Sequence, residues 1–106
     1  MILRVWRGWT TAENAAAYEK LLREVVFPGI AAKGVAGYRG ITLQRRQLPT
    51  GEIEFMTLMS FESIDAVRAF VGADHERAYV PAAARKVLFR FDETAAHYEV
   101  VEQLKY

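Results

Sequence analysis

The chain has 106 residues, 52% of them hydrophobic and 25% charged, with a net charge of +1, as expected of one average globular domain with a small core. Its adjacent basic pairs, Arg45-Arg46 and Arg85-Lys86, form no basic stripe of the kind a nucleic-acid binder carries. It has no cysteine, which excludes disulfides, thiolate metal sites and cysteine nucleophiles.

Met1 to Val5 contains an arginine and no apolar run of signal-peptide length. No stretch approaches the about 20 apolar residues of a membrane-spanning helix. The expectation is a cytoplasmic protein with no membrane and no nucleic-acid partner.

Ile2 to Trp9 reads as a strand. Ile2, Arg4 and Trp6 fall on one face, and Leu3, Val5, Arg7 and Trp9 on the other. Apolar residues on both faces predict that both are covered. Thr10 to Glu13 fits a capping box with Thr10 as N-cap. A helix follows to about Val26, with Ala15, Tyr18, Leu22, Val25 and Val26 on its apolar stripe. Phe27-Pro28-Gly29 is expected to bend or end it.

Val35 to Leu48 is a second strand, in which Gly37 and Gly40 predict a bulge or a close backbone approach. Pro49 to Glu52 is a tight turn. Glu52 to Phe61 pairs back as a third strand. Ile53, Phe55, Met59 and Phe61 share one face, and Met56 and Leu58 occupy the other. This second apolar face predicts a homodimer through sheet-on-sheet packing.

Ser63 caps a second helix, whose stripe is Ile64, Val67, Phe70 and Val71 and whose end is Gly72. Ala73 to Val80 is a polar connection holding His75 and Tyr79. Pro81 opens a short helix to about Leu88. Thr94 to about Gln103 is the last strand, carrying His97. The order βαββαβ predicts an α+β, ferredoxin-like domain over residues 1–106. Its antiparallel four-stranded sheet, ordered 4-1-3-2, carries the helices on one face.

With that plan, Phe61-Glu62-Ser63-Ile64, Phe70-Val71-Gly72, Tyr79-Val80-Pro81 and His97-Tyr98-Glu99-Val100 resemble the antibiotic biosynthesis monooxygenase domain family of the dimeric α+β barrel superfamily. The resemblance covers nearly the whole chain. It implies homodimers whose sheets pack into a barrel. It also implies, for some members, oxidation of aromatic polyketides or quinol-type substrates by molecular oxygen without a bound cofactor. Other members degrade haem. That branch uses an Asn, a Trp and a His at places matched here by Arg7, Phe70 and Val80, so haem degradation by that route is not expected.

His97 is the leading chemical candidate. A neutral imidazole in a partly dry pocket takes a proton from a phenol or activated C–H, and the electron-rich product reacts with oxygen directly. Glu99 follows on the same strand face, about 7 Å away. The competing reading is a histidine hydrogen-bonded at the dimer interface, and a ligand-binding role is a third. His75, in the polar run Ala73 to Arg77, reads as a solvated loop or helix-end residue. Two histidines without a spaced carboxylate give no metal signal.

Trp6, Tyr38, Phe55, Phe70, Tyr79 and Tyr98 are the aromatic residues placed to line an apolar pocket for a small aromatic ligand, or to fill the core. Arg7 and Arg39 are strand cations suited to hold a phenolate or carboxylate, or to pair across the interface. No GxGxxG after a strand, P-loop or GxSxG motif is present, so no nucleotide cofactor is indicated; the resemblance to the cofactor-free members implies no cofactor at all. A monooxygenase, a non-catalytic small-molecule-binding homodimer and a haem-binding barrel protein all remain open on one fold.

Overall fold

Strand β1 (Ile2–Thr10) lies in the middle of the sheet in the computed structural model, which describes residues 1–106. It pairs antiparallel with β3 (Ile53–Phe61) along its full length, from Ile2 opposite Phe61 to Thr10 opposite Ile53. β2 (Tyr38–Gln47) pairs with the other edge of β3. The register slips once, between Tyr38 and Gly40, where the glycines predicted a bulge.

The expected last strand is divided in two. β4 (Arg90–Phe91) pairs with Gly8 and Trp9, and β5 (Ala96–Glu99) pairs with Ile2 to Val5. Between them Asp92 to Ala95 leave the ladder. The Asp92 carboxylate accepts from Arg7, and Ala95 N–H donates to the Glu76 carbonyl. The strand order is 4-1-3-2, with β5 also on β1. The α+β ferredoxin-like expectation is therefore met.

Helix α1 (Ala12–Leu21) starts one residue later than its capping box suggested. Thr11 is the N-cap and accepts from Asn14 N–H at 3.3 Å. Thr10 still belongs to β1, and its hydroxyl donates to the Val87 carbonyl at 2.5 Å. Nor does the helix stop before Pro28. It widens into a π-helical turn, Leu22–Val26, and continues as α2 (Phe27–Ala32). A proline inside an α-helix lacks a donor and pushes its ring against the carbonyl four residues back. In the wide turn Phe27 N–H instead reaches the Leu22 carbonyl, five residues back, which makes room for the ring. The same widening turns Val25 outward to 61% exposure, away from the stripe expected of it.

Helix α3 (Ile64–Val71) is capped by Ser63, which accepts from Ala66 N–H, and ends at Gly72. α4 (Ala82–Val87) follows Pro81. All helices cover one sheet face. Phe61 and Val67 are fully buried there, in a cluster with Ile2, Met59 and Phe70. Each such side chain contributes about 1.5–3 kcal/mol of burial free energy. Gly37, at φ 85°, meets this cluster so closely that a Cβ would stand 2.8 Å from that of Ala66. No helix is long and apolar enough to cross a membrane.

A candidate ligand cavity between helices and sheet

The alternation of a strand puts Arg4 between Ile2 and Trp6, on the face toward the helices. Arg4 is only 3% exposed. Its Nη1 donates to the His75 carbonyl at 2.6 Å and to His97 Nε2 at 2.9 Å, and its Nη2 donates to the Arg77 carbonyl at 2.6 Å. No carboxylate pairs with it. Burial alone pulls its guanidinium down to about 10, so at neutral pH it remains a cation held among neutral acceptors.

This cation stands in the wall of an apolar cavity of about 40 Å³. The floor is sheet: Arg4, Trp6, Ile41, Thr57 and Met59. The roof is helix: Tyr18 of α1, Leu22 and Val26 of the π turn, and Phe27 and Ile30 of α2. Phe70, Tyr79, Val80, Pro81 and Ala84 close the sides. The wide turn that accommodates Pro28 thus also shapes the roof, a placement π-turns often have at functional sites. As it stands the space holds about three waters. Tyr79, 41% exposed, is its solvent-facing side. That ring packs edge-on against Phe70 at 5.3 Å, under the Lys33 ammonium.

Three of the residues selected from the sequence, Trp6, Phe70 and Tyr79, meet at this cavity. Trp6 is fixed by an Nε1–H bond to the Asp92 carbonyl at 2.6 Å. Phe55 is 1% exposed and lies behind Tyr18, with ring centroids 4.9 Å apart. Tyr38 packs on Phe61 at 5.4 Å, outside the lining. Arg39 is an exposed residue paired with Glu62. Arg7 and Tyr98 belong to the opposite sheet face, where Arg7 pairs with Asp92 at 3.0 Å. Neither reaches the cavity, because the strand period of two separates them from Arg4, Trp6 and His97.

His97 sits opposite Arg4 in the β1–β5 ladder and faces the helix side. It does not line the cavity; Arg4 stands in front of it. Arginine only donates, so His97 Nε2 accepts and the proton of the neutral ring is on Nδ1. Its pKa is lowered by burial first, then by the charge of Arg4. Glu99 is exposed and plays no part in orienting the ring. His75 is half-buried rather than solvated, its ring edge-on to His97 at 5.1 Å. No three His, Cys, Asp or Glu side chains converge as a metal site.

Arg4, Tyr18 and Thr57 escaped selection from the sequence. Each left a trace there: a charge on an apolar strand face, a phenol on a helix stripe, and a hydroxyl in the row Ile53, Phe55, Thr57, Met59, Phe61.

The chain matches no family model and no curated protein. Among solved structures it is similar to a candidate antibiotic biosynthesis monooxygenase of Bacillus cereus. The TM-score is 0.64 at 15% identity, over 99% of this chain and 98% of that one. It is similar to a mutant of MhuD, crystallised with two manganese protoporphyrin IX molecules per active site. There the TM-score is 0.67 at 18% identity, and both chains are covered completely. An ethyl tert-butyl ether degradation family protein of Bacillus halodurans C-125 matches at TM-score 0.56 and 17% identity, over 95% of this chain and all of that one. These likenesses establish the fold of the antibiotic biosynthesis monooxygenases, as the sequence resemblance implied.

Proposed function

We propose that this protein is a small cofactor-independent monooxygenase, acting as a homodimer on a planar aromatic or quinol-type substrate with molecular oxygen. The observation that carries the reading is Arg4, a buried cation with no carboxylate partner in the wall of an apolar cavity. Such a charge favours an anion brought to it, and more strongly where water is excluded. A phenol or enol entering beside Trp6 and Phe70 ionises next to the guanidinium, its proton passing to solvent water at the exposed Tyr79 side. The electron-rich anion reduces oxygen and combines with it at carbon. For a ring methylene, loss of water from the peroxide leaves a carbonyl: one oxygen atom enters the product and the other leaves as water. His97 acts through Arg4, as the positioning residue that holds the guanidinium at the wall.

Iron porphyrin does not fit this arrangement. Neither imidazole lines the cavity, so no axial ligand reaches it. Of the three places that the haem-degrading branch uses, Phe70 and Val80 line it without a ligating atom, and Arg7 is on the far face.

The homodimer is supported by the open sheet face. Leu3, Val5, Met56 and Leu58 are only half covered there and Tyr98 is 59% exposed, on a face that water alone would have made polar. Beyond β5, Val101 and Leu104 are 95% and 62% exposed, so the tail too has apolar side chains for a second copy to cover.

The test is oxygen uptake by the purified protein with anthrone and dihydroxynaphthalene probes, beside Arg4→Met. Uptake that depends on Arg4 supports the reading. Ligand-dependent thermal stabilisation without uptake makes the protein a binding dimer instead. Neither uptake nor stabilisation removes the cavity as a ligand site.

A further inference from the structure

Two hydroxyls in the cavity wall are unspoken for. Tyr18 is 1% exposed and Thr57 9%, and neither side chain makes a hydrogen bond within the protein. No side-chain polar atom in the chain is both sealed from solvent and unpaired. Both residues line the cavity. Leaving a neutral donor unpaired in an apolar interior is costly, and such sites discriminate strongly in favour of ligands that satisfy them.

The two residues follow one another along the sheet, on the Trp6 side of Arg4. Arg4 is level with Met59 on β3, Thr57 is two residues back, level with Trp6, and Tyr18 packs over Phe55, two residues further. Each step of two along a strand is about 7 Å. A fused pair of aromatic rings spans the interval. We propose that Tyr18 and Thr57 form a second polar pole that hydrogen-bonds a neutral oxygen of the ligand, so that the site selects flat aromatic molecules oxygenated at both ends. One oxygen lies on Arg4 as an anion. The other, a hydroxyl or carbonyl, lies on the Tyr18–Thr57 pair. Burial keeps the Tyr18 phenol protonated, since its pKa is pushed well above the ordinary value, and it acts as a donor. The proposal rests on the aromatic-substrate reading above and adds to it the number and placement of the oxygens.

The experiment compares naphthalene, 1-naphthol and 1,5-dihydroxynaphthalene, titrated under argon into the whole chain, with binding read by calorimetry and by quenching of tryptophan fluorescence. The wild type should bind the dihydroxy compound about tenfold more tightly than 1-naphthol, the worth of one buried neutral hydrogen bond. Tyr18→Phe should erase that difference while leaving 1-naphthol binding unchanged, and Thr57→Val should reduce it. Without ligand, Tyr18→Phe should unfold at a temperature no lower than the wild type, because the hydroxyl has no partner to lose. Equal binding of the two naphthols by the wild type, or an unaltered preference in Tyr18→Phe, overturns the second pole and leaves an aromatic site at Arg4. A less stable Tyr18→Phe protein overturns it as well, by showing a partner inside the fold. Failure of all three probes to bind overturns the aromatic-substrate reading itself, and the second pole with it.

Discussion

Arg4 Nη1 and His97 Nε2 are 2.9 Å apart, across adjacent strands, on the face of the sheet that looks toward the helices. The histidine that stands out in the sequence is therefore a partner of the arginine that does not. Together with the carbonyls of His75 and Arg77 it holds a charge at the cavity wall and ties the connection after α3 to the sheet.

Replacing Arg4 by Met should abolish oxygen uptake while keeping the fold, since methionine replaces the apolar stem of the arginine and carries no charge. The two carbonyls lose charge-assisted donors, at a cost of about 1–3 kcal/mol, partly offset by the removal of a buried ion. Lysine restores the charge without the fork that reaches three acceptors, so Arg4→Lys should recover a small part of the activity. Uptake assays beside urea titrations separate the two effects.

Protonation of His97 should loosen the same cluster. Its folded pKa lies below the ordinary 6.5, by burial first and then by Arg4. The unfolded chain therefore binds the proton more readily, and stability rises with pH through this window. The contribution is complete above about pH 6.5 and declines as pH falls from there through the folded pKa. His97→Gln, which keeps an acceptor for Arg4, should flatten that part of the profile. Urea midpoints measured across the window for both proteins check it.

Tyr79 should set the size of ligand admitted. Tyr79→Ala removes the exposed ring from the cavity's side and the contact with Phe70. Affinity for three-ring aromatics should rise and that for one-ring phenols should fall, since the smaller molecules lose a wall. Parallel calorimetric titrations with the two ligand sizes measure the reversal.

Leu58→Asp places a charge in the middle of the half-covered open face, beside Val5. It should convert a dimer to a monomer in sedimentation equilibrium. In contrast, Phe61→Ala, at a site with no exposure on the other face, should cost about 3–5 kcal/mol of folding stability.

The fold was legible because periodicity and turn chemistry agree along most of the chain. Ile53, Phe55, Met59 and Phe61 alternate cleanly, Ser63 and Gly72 bracket α3, and Gly40 marks the bulge. What local reading missed is set by contacts distant in sequence. Pro28 reads equally as a bend or an end of the helix, and the π turn that relieves its clash decides for continuation. Thr10 looks like a cap until β3 and α4 claim it. The site was less legible for the same reason. Trp6, Phe70 and Tyr79 were readable as pocket aromatics, but Arg7 and Arg39 drew attention from Arg4, whose neighbours in space come from residues 75 to 97. No local pattern announces a cation whose partners are two remote carbonyls and an imidazole.

The most direct test of the central claim is the ionisation of a bound phenol. 4-Nitrophenol, yellow only as its phenolate, can be titrated spectrophotometrically while saturating the wild type and Arg4→Met. Arg4 as an unpaired buried cation predicts that the bound phenol ionises at lower pH than it does free in solution, and that Arg4→Met abolishes the shift or reverses it. A bound phenol that ionises at its free-solution pH or above in the wild type contradicts the assignment of Arg4, and with it the mechanism built on that charge.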